Sequence, residues 1–215
     1  MQQSYLVIGT DTNVGKTYVA CALVRHFANL GKKTVGMKPV ASGCEFNAHN
    51  ELLNGDVVAL NAASNVKAPL DLINPYRFMP AIAPHIAAQQ ANVLMDLNYI
   101  ESAYLQLRKL ADVVVVEGVG GFFVPLNQTE TLADLAERLN IPIIMVVGIR
   151  LGCINHALLT VEAIKIRRLS LAGWIANEID PKMNMFQENF ESLKLRISAP
   201  CLGLVRWQNP VSFKL

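Results

Sequence analysis

The chain has 215 residues, 52% of them hydrophobic and only 17% charged, which suits one large core and excludes a disordered chain. Nineteen Lys and Arg stand against 17 Asp and Glu, and a formal charge of +2 makes no general electrostatic case for nucleic acid or an anionic membrane. The longest strongly apolar stretch, Ile141 to Ile149, is about half a bilayer span, and Met1-Gln2-Gln3-Ser4 lacks the basic and apolar regions of a secretory leader. Cys21, Cys44, Cys153 and Cys201 lie far apart, with no Cys-x-x-Cys among them. The expectation is a single cytoplasmic domain over residues 1–215.

In chain order, Tyr5-Leu6-Val7-Ile8 predicts a first strand and Lys16 to Leu30 a helix closed by Gly31. Thr34 to Lys38 predicts a second strand, stopped by Pro39. Val40 to Arg77, poor in periodicity and holding Pro69, Asn74 and Pro75, predicts a long excursion over the carboxyl-end face of the sheet. His85, after Pro84, opens a further helix. Asp96 to Leu110 predicts another, with Leu97, Ile100, Ala103, Tyr104 and Leu107 on one side. Val113-Val114-Val115-Val116 is β-branched without alternation, the pattern of a parallel strand covered on both faces. A helix near Leu132 to Leu139, a strand from Pro142 to Val147 and a helix from Asn155 to Arg167 follow. A strand at Leu171 to Ala176, a helix near Met185 to Ile197 and a short strand at Cys201 to Leu204 complete the series. This alternation predicts an α/β fold, a doubly wound, mostly parallel sheet with helices on both faces. Ligands in such sheets bind beyond the carboxyl ends of the strands, so the residues after each strand are the candidates.

The first strand runs into Gly9-Thr10-Asp11-Thr12-Asn13-Val14-Gly15-Lys16-Thr17 and then a helix. Backbone N–H groups feeding a helix amino terminus form an anion site, Lys16 adds a charge for the β- and γ-phosphates, and the Thr17 hydroxyl can ligate Mg²⁺. The spelling departs from Gly-x4-Gly-Lys-Thr, because the first glycine lies one residue early and Thr10 takes its place. An acid at Asp11 repels phosphate, so it is expected to point away or to meet a cation. Partition and septum-placing ATPases carry a signature lysine at this place, so Asp11 argues against a dimerising switch of that kind.

Lys38 reads as either a solvated lysine or, from its position at a strand end beside the phosphate loop, a second cation for a reaction that builds negative charge. Glu117, directly after the four valines, reads as a loop acid or as the carboxylate partner of Mg²⁺. Gly118 to Gly121 leave room for a close ligand. Asp56 reads from spacing as a helix cap. His26, His49, His85 and His156 make no metal constellation, and Trp174 and Trp207 read as packing residues. Gly152-Cys153-Ile154-Asn155, between a strand and a helix, is an ordinary helix start or a second anion site.

Six segments together resemble the dethiobiotin synthetase family. They are Gly9 to Thr17; Lys38-Pro39-Val40-Ala41-Ser42-Gly43; Asn74-Pro75-Tyr76 with Pro84-His85-Ile86; Val116-Glu117-Gly118-x-Gly120-Gly121; Leu151 to Ala157; and Ala172 to Asn177. The resemblance runs from Gly9 to Trp207. It implies a fold of the P-loop NTPase type and an ATP- and Mg²⁺-dependent cyclo-ligase of biotin formation. The implied reactants are CO2 or bicarbonate, 7,8-diaminononanoate and ATP, and the products are dethiobiotin, ADP and phosphate. It further implies catalysis by Lys38 and Lys16 and metal contacts from Thr17, Asp56 and Glu117, which moves Asp56 from cap to ligand. Nucleotide contacts are implied for Asn13, Val14, Gly15, Lys16, Thr17, Tyr18, Asp56, Glu117, Gly118, Gly120, Asn177, Arg206, Trp207 and Gln208. Substrate contacts are implied for Thr12 and Ser42, and for Gly152, Cys153 and Asn155 from the neighbouring subunit of a homodimer. Asn13 stands where relatives often have glutamate, and Val119 where alanine is common. The short tail from Gln208 to Leu215 is expected to enclose the nucleobase less fully than in relatives and so to relax nucleotide choice. Cobyrinic-acid-type amidoligases share the fold, but 215 residues leave no room for their usual glutaminase domain.

Overall fold

The computed structural model describes residues 2–207 and 213. Its elements, in chain order, are β1 (Gln3–Gly9), α1 (Lys16–Asn29), β2 (Thr34–Met37), β3 (Val40–Ser42), β4 (Glu45–Phe46) and β5 (Leu52–Leu53). Then come α2 (Gly55–Ala63), α3 (Leu70–Ile73), β6 (Tyr76–Phe78), α4 (Pro84–Gln90), α5 (Leu97–Leu110) and β7 (Val113–Gly121). The chain continues through α6 (Leu132–Leu139), β8 (Ile143–Ile149), α7 (Cys153–Ile166), β9 (Leu171–Glu178), α8 (Phe186–Arg196) and β10 (Cys201–Val205).

Six strands form one sheet in the order β10-β9-β8-β1-β7-β2, and every pairing in it is parallel. The pleat divides each central strand between two cores. Val7, Val113, Val115, Ile144, Val146 and Ile175 face one side with Val19, Leu23 and Phe27 of α1 and Leu60 of α2. Leu6, Ile8, Val114, Val116, Met145, Val147 and Trp174 face the other with residues of α5, α6, α7 and α8. Both faces of β7 are thereby dry, which is why its four valines show no alternation. Trp174 packs on Phe190 with ring centroids 5.9 Å apart.

Two expectations need correction. The excursion from Val40 to Arg77 is more ordered than its poor periodicity suggests: besides the helix expected at Asp56 (α2) it holds α3, a parallel β3–β6 pair and an antiparallel β4–β5 pair. Strands of two or three residues are too short to carry a readable period, and this hid them. The valine strand also does not end at Val116. Pairing with β1 continues through Val7 with Glu117 and Gly9 with Gly121, so Glu117 lies inside β7. The helix before β8 and the helix after it fall within a residue or two of the expected places, which is the usual uncertainty of helix ends.

The sheet leaves little tolerance where β9 meets the approach to β10. A Cβ on Gly173 would lie 2.5 Å from Leu202 Cγ and 2.7 Å from the Pro200 carbonyl oxygen. The second neighbour is backbone and cannot swing aside. Gly173→Ala is expected to lower unfolding free energy by about 1–3 kcal/mol. Gly55→Ala, at a position with nothing within 4 Å of the added carbon, is expected to be neutral or slightly stabilising. Urea unfolding of the two variants checks the contrast.

Candidate active site

The carboxyl ends of β1, β2 and β7 open into a cleft of about 820 Å³ whose lining includes Thr12, Lys16, Thr17, Lys38, Ser42, Asp56 and Glu117. The loop after β1 turns through Asn13 at φ 60° and Gly15 at φ 90° before α1 begins. Gly15 is required twice over. Its φ suits glycine, and a Cβ there would lie 2.1 Å from Asn177 Nδ2. Asn177, at the end of β9, donates from Nδ2 to the Val14 carbonyl at 2.8 Å and so holds the loop from below. Val14 is itself buried and packs over Gly148 of β8.

Lys16 Nζ donates to the Asp11 carbonyl at 2.8 Å, capping the loop from within. Burial, reinforced by the nearby Lys38 charge, lowers its pKa to about 8 against the opposing pull of Glu117, Asp56 and Asp11. The Asp11 carboxylate accepts the Thr12 N–H at 2.7 Å through Oδ1 and pairs through Oδ2 with Arg150, just beyond β8.

Glu117 is 1% exposed and Lys38 4%. Lys38 Nζ donates to Glu117 Oε1 at 2.5 Å, to Asp56 Oδ2 at 3.0 Å and, at the limit of a hydrogen bond, to the Gly118 carbonyl at 3.4 Å. Thr17 Oγ1 donates to the same Glu117 oxygen at 2.7 Å. Burial pushes the Lys38 ammonium down, yet the Glu117 and Asp56 charges outweigh it and hold the net pKa above its ordinary value. Burial likewise pushes Asp56 up, and the Lys38 charge and hydrogen bond hold it below the usual carboxylate value. Glu117 Oε2 and the Ser42 hydroxyl are buried with no hydrogen-bond partner among the described residues.

Asp56 is not the cap of α2. Asn54 is, its Oδ1 accepting the Asp56 N–H at 2.8 Å while its Nδ2 donates to the Ser42 carbonyl at 3.0 Å. The cap therefore fastens the helix carrying Asp56 to the strand that follows Lys38. Asn54 lines the cleft, as do Ala81, Ile82, Ala83 and Pro84, which form an apolar rim ahead of α4. Sequence reasoning assigned none of these five. The pattern of an Asn two residues before an Asp at a helix start carried the signal for Asn54.

The remaining described candidates fall into four places. Asn13, Gly15 and Gly120 line the cleft, and Gly118 adjoins it through its carbonyl. Tyr18 lies half exposed on α1. Arg206 and Trp207 follow β10 and meet Glu178: the Trp207 N–H donates to Oε2 at 2.9 Å, and the Arg206 guanidinium approaches Oε1 at 3.4 Å while lying 4.3 Å over the Phe186 ring. Gly152 and Asn155 are exposed at the start of α7 and Cys153 is buried beneath them; none of the three lines the cleft of a single chain. Gln208 and the tail expectation lie outside the described residues.

The cleft thus gathers two lysines, two carboxylates and a hydroxyl beside an anion-binding loop. Among the described residues no group of three or more His, Cys, Asp and Glu forms a metal cage. Two carboxylates, a threonine hydroxyl and the unpartnered Glu117 oxygen nevertheless suit a hard cation such as Mg²⁺, which takes few protein ligands and keeps waters or phosphate oxygens.

Comparison with known proteins gives a consistent picture. A family model described as an AAA domain matches residues 3–214. The chain is 54% identical over 203 residues to the ATP-dependent dethiobiotin synthetase BioD of Aromatoleum aromaticum, covering 94% of this chain and 90% of that one. It is 51% identical over 208 residues to the protein of the same name from Nitrosospira multiformis, covering 95% and 88%. Among solved structures it is similar to the septum site-determining protein MinD with Mg-ADP from Pyrococcus horikoshii. That likeness, with a TM-score of 0.60, 14% identity and coverage of 95% of this chain and 81% of that one, is one of fold.

Because Lys38 is the counter-charge of a buried carboxylate, removing it costs stability. Neither reading of Lys38 from the sequence, as a solvated lysine or as a strand-end cation, gave it this structural role. Lys38→Ala, without nucleotide or metal, is expected to destabilise the fold by about 3 kcal/mol. Adding Glu117→Gln is expected to restore most of that loss, since no buried charge then stands alone. Thermal and urea unfolding of the single and double variants measure it.

Proposed function

The chain belongs to the ATP-dependent dethiobiotin synthetase family, and from that membership we propose that it converts 7,8-diaminononanoate, CO2 and ATP into dethiobiotin, ADP and phosphate. The observation that carries this reading is the meeting of Lys16 and Lys38 with Thr17, Asp56 and Glu117 in one cleft beside the phosphate loop. The reaction must bring two anions together, a carbamate and the γ-phosphate, and they can approach only among cations.

In this reading one substrate amine takes up CO2 as a carbamate, and a carbamate oxygen attacks the γ-phosphorus. The second amine then closes the ureido ring and expels phosphate. Lys16 leaves the Asp11 carbonyl for the β- and γ-phosphate oxygens. Lys38 neutralises the carbamate and the charge that grows as the phosphoryl group transfers. Thr17, Asp56 and Glu117 would hold Mg²⁺, and the ion would screen the phosphate charge and polarise its oxygens. Thr12 and the unpartnered Ser42 hydroxyl orient the diamine. Asn13 to Tyr18, Gly118, Gly120 and Asn177 shape the nucleotide side, with Arg206 and Trp207 toward the base. Gly152, Cys153 and Asn155 lie away from the cleft of their own chain, which suits their service to the substrate carboxylate of a second copy in a homodimer. Four free cysteines suit the reducing cytoplasm. No covalent enzyme nucleophile is needed, since positioning and charge do the chemistry.

ADP release by the purified protein is expected to require diaminononanoate and bicarbonate together, with dethiobiotin identified by mass. Turnover that ignores the diamine would overturn the reading. The pH dependence of nucleotide binding gives a second check. Lys16 grips phosphate as an ammonium, and its pKa of about 8 lies below the ordinary 10.5. ATP affinity is therefore expected to be full below about pH 7 and to fall as pH rises through 8, whereas Lys16→Arg, charged throughout, gives a flat profile. For stability the sign reverses: between about 8 and 10.5 the unfolded chain holds more protons at this position, so this group's contribution rises with pH. Calorimetric titration with Mg·ATP across pH and urea unfolding follow the two trends separately.

A further inference from the structure

Asp11 places a carboxylate in a loop made for anions, and its partner lies just beyond the end of β8. Thr10 donates to the Val146 carbonyl at 3.0 Å, so the loop is stitched to β8, and four residues beyond Val146 the guanidinium of Arg150 closes on Asp11 Oδ2. The other carboxylate oxygen accepts the Thr12 N–H at 2.7 Å, and the Asp11 carbonyl accepts Lys16 Nζ at 2.8 Å. One residue therefore touches the loop backbone, the lysine that binds phosphate, and Arg150. The Arg150 carbonyl in turn accepts the Cys153 N–H at 3.0 Å in the tight turn that begins α7.

We propose that Arg150 is a positioning residue for the nucleotide: it cancels the Asp11 charge and fixes the phosphate loop to the turn before α7. The inference rests on the reading of this loop as the ATP site. Both side chains are more than 40% exposed, at 44% and 41%, so the pair adds little to global stability. Its effect is local. Without Arg150 a bare carboxylate stands beside an incoming triphosphate, and the repulsion falls on nucleotide affinity. Lys38 cannot substitute, being held by Glu117 and Asp56, and Lys16 faces the Asp11 carbonyl. Asp11 is useful enough to keep despite its charge, because its Oδ1 sets the Thr12 N–H and hence the direction of the loop.

The test is the dissociation constant of Mg·ATP, measured by calorimetry on the full chain. Arg150→Ala is expected to bind about tenfold more weakly, and Arg150→Lys to recover to within about threefold of the parent. The decisive variant is Asp11→Asn with Arg150→Ala, in which both charges are gone while the Thr12 N–H keeps an acceptor; it is expected to return to within about threefold. Melting temperatures of all variants are expected to match the parent within a few degrees. Parent-like affinity in Arg150→Ala, or a double variant as weak as the single, would overturn the proposal. So would an Arg150→Ala protein that binds ATP normally but needs much more diaminononanoate, since Arg150 would then serve the substrate. If the parent chain fails to bind Mg·ATP, the site reading falls and this inference with it. If it binds ATP but makes no dethiobiotin, only the proposed reaction falls.

Discussion

A carboxylate in the middle of a dry strand must find its partners before the fold is worth forming, and here that group is Glu117. At 1% exposure its charge is deprived of water, so Lys38 and Thr17 must come to it. Lys38 brings the end of β2, Thr17 brings the first turn of α1, and Asp56, sharing Lys38, brings α2. The cleft is built around that single requirement. Among the described residues the second Glu117 oxygen has no hydrogen-bond partner, so the arrangement that stabilises the fold also leaves one oxygen that could ligate a cation.

The parallel sheet makes this meeting place unavoidable. β1 lies between β7 and β8, and the loop after β1 emerges beside the ends of both neighbours. The MinD structure, alike in fold, carries a different sequence on it. In this chain the departure sits at Asp11, whose acid is matched by Arg150 from β8. The fold supplies the phosphate cradle; the charges placed around it decide what the cradle serves.

Much of this was legible in the residues alone. The Gly-Lys-Thr loop between a strand and a helix marked the anion site, and the unbroken Val113–Val116 run marked a strand dry on both faces. Local patterns carried both. The rest depended on contacts between distant positions. Lys38 and Glu117 are 79 residues apart, and nothing in either neighbourhood shows that the lysine is the buried partner of the acid. Glu117 was placed beyond its strand because glycines usually break one; pairing with β1 carried β7 through them. The segment from Val40 to Arg77 hid its order because its strands are two or three residues long. Asp56 illustrates a third kind of limit: its place in the first turn of α2 was visible, but its approach to Lys38 follows from how Asn54 ties that helix to β3.

The Asn177 bridge to the Val14 carbonyl has a consequence for descent. Gly15 and Asn177 occupy one volume, since the smallest side chain at the first would lie 2.1 Å from the amide of the second. Neither position is free to drift alone. A side chain at residue 15 would meet both the left-handed backbone and the Asn177 amide, and shortening residue 177 to make room would strip the Val14 carbonyl of its hydrogen bond. Two residues 162 apart in the chain, one in a loop and one in a strand, therefore answer to a single shared volume.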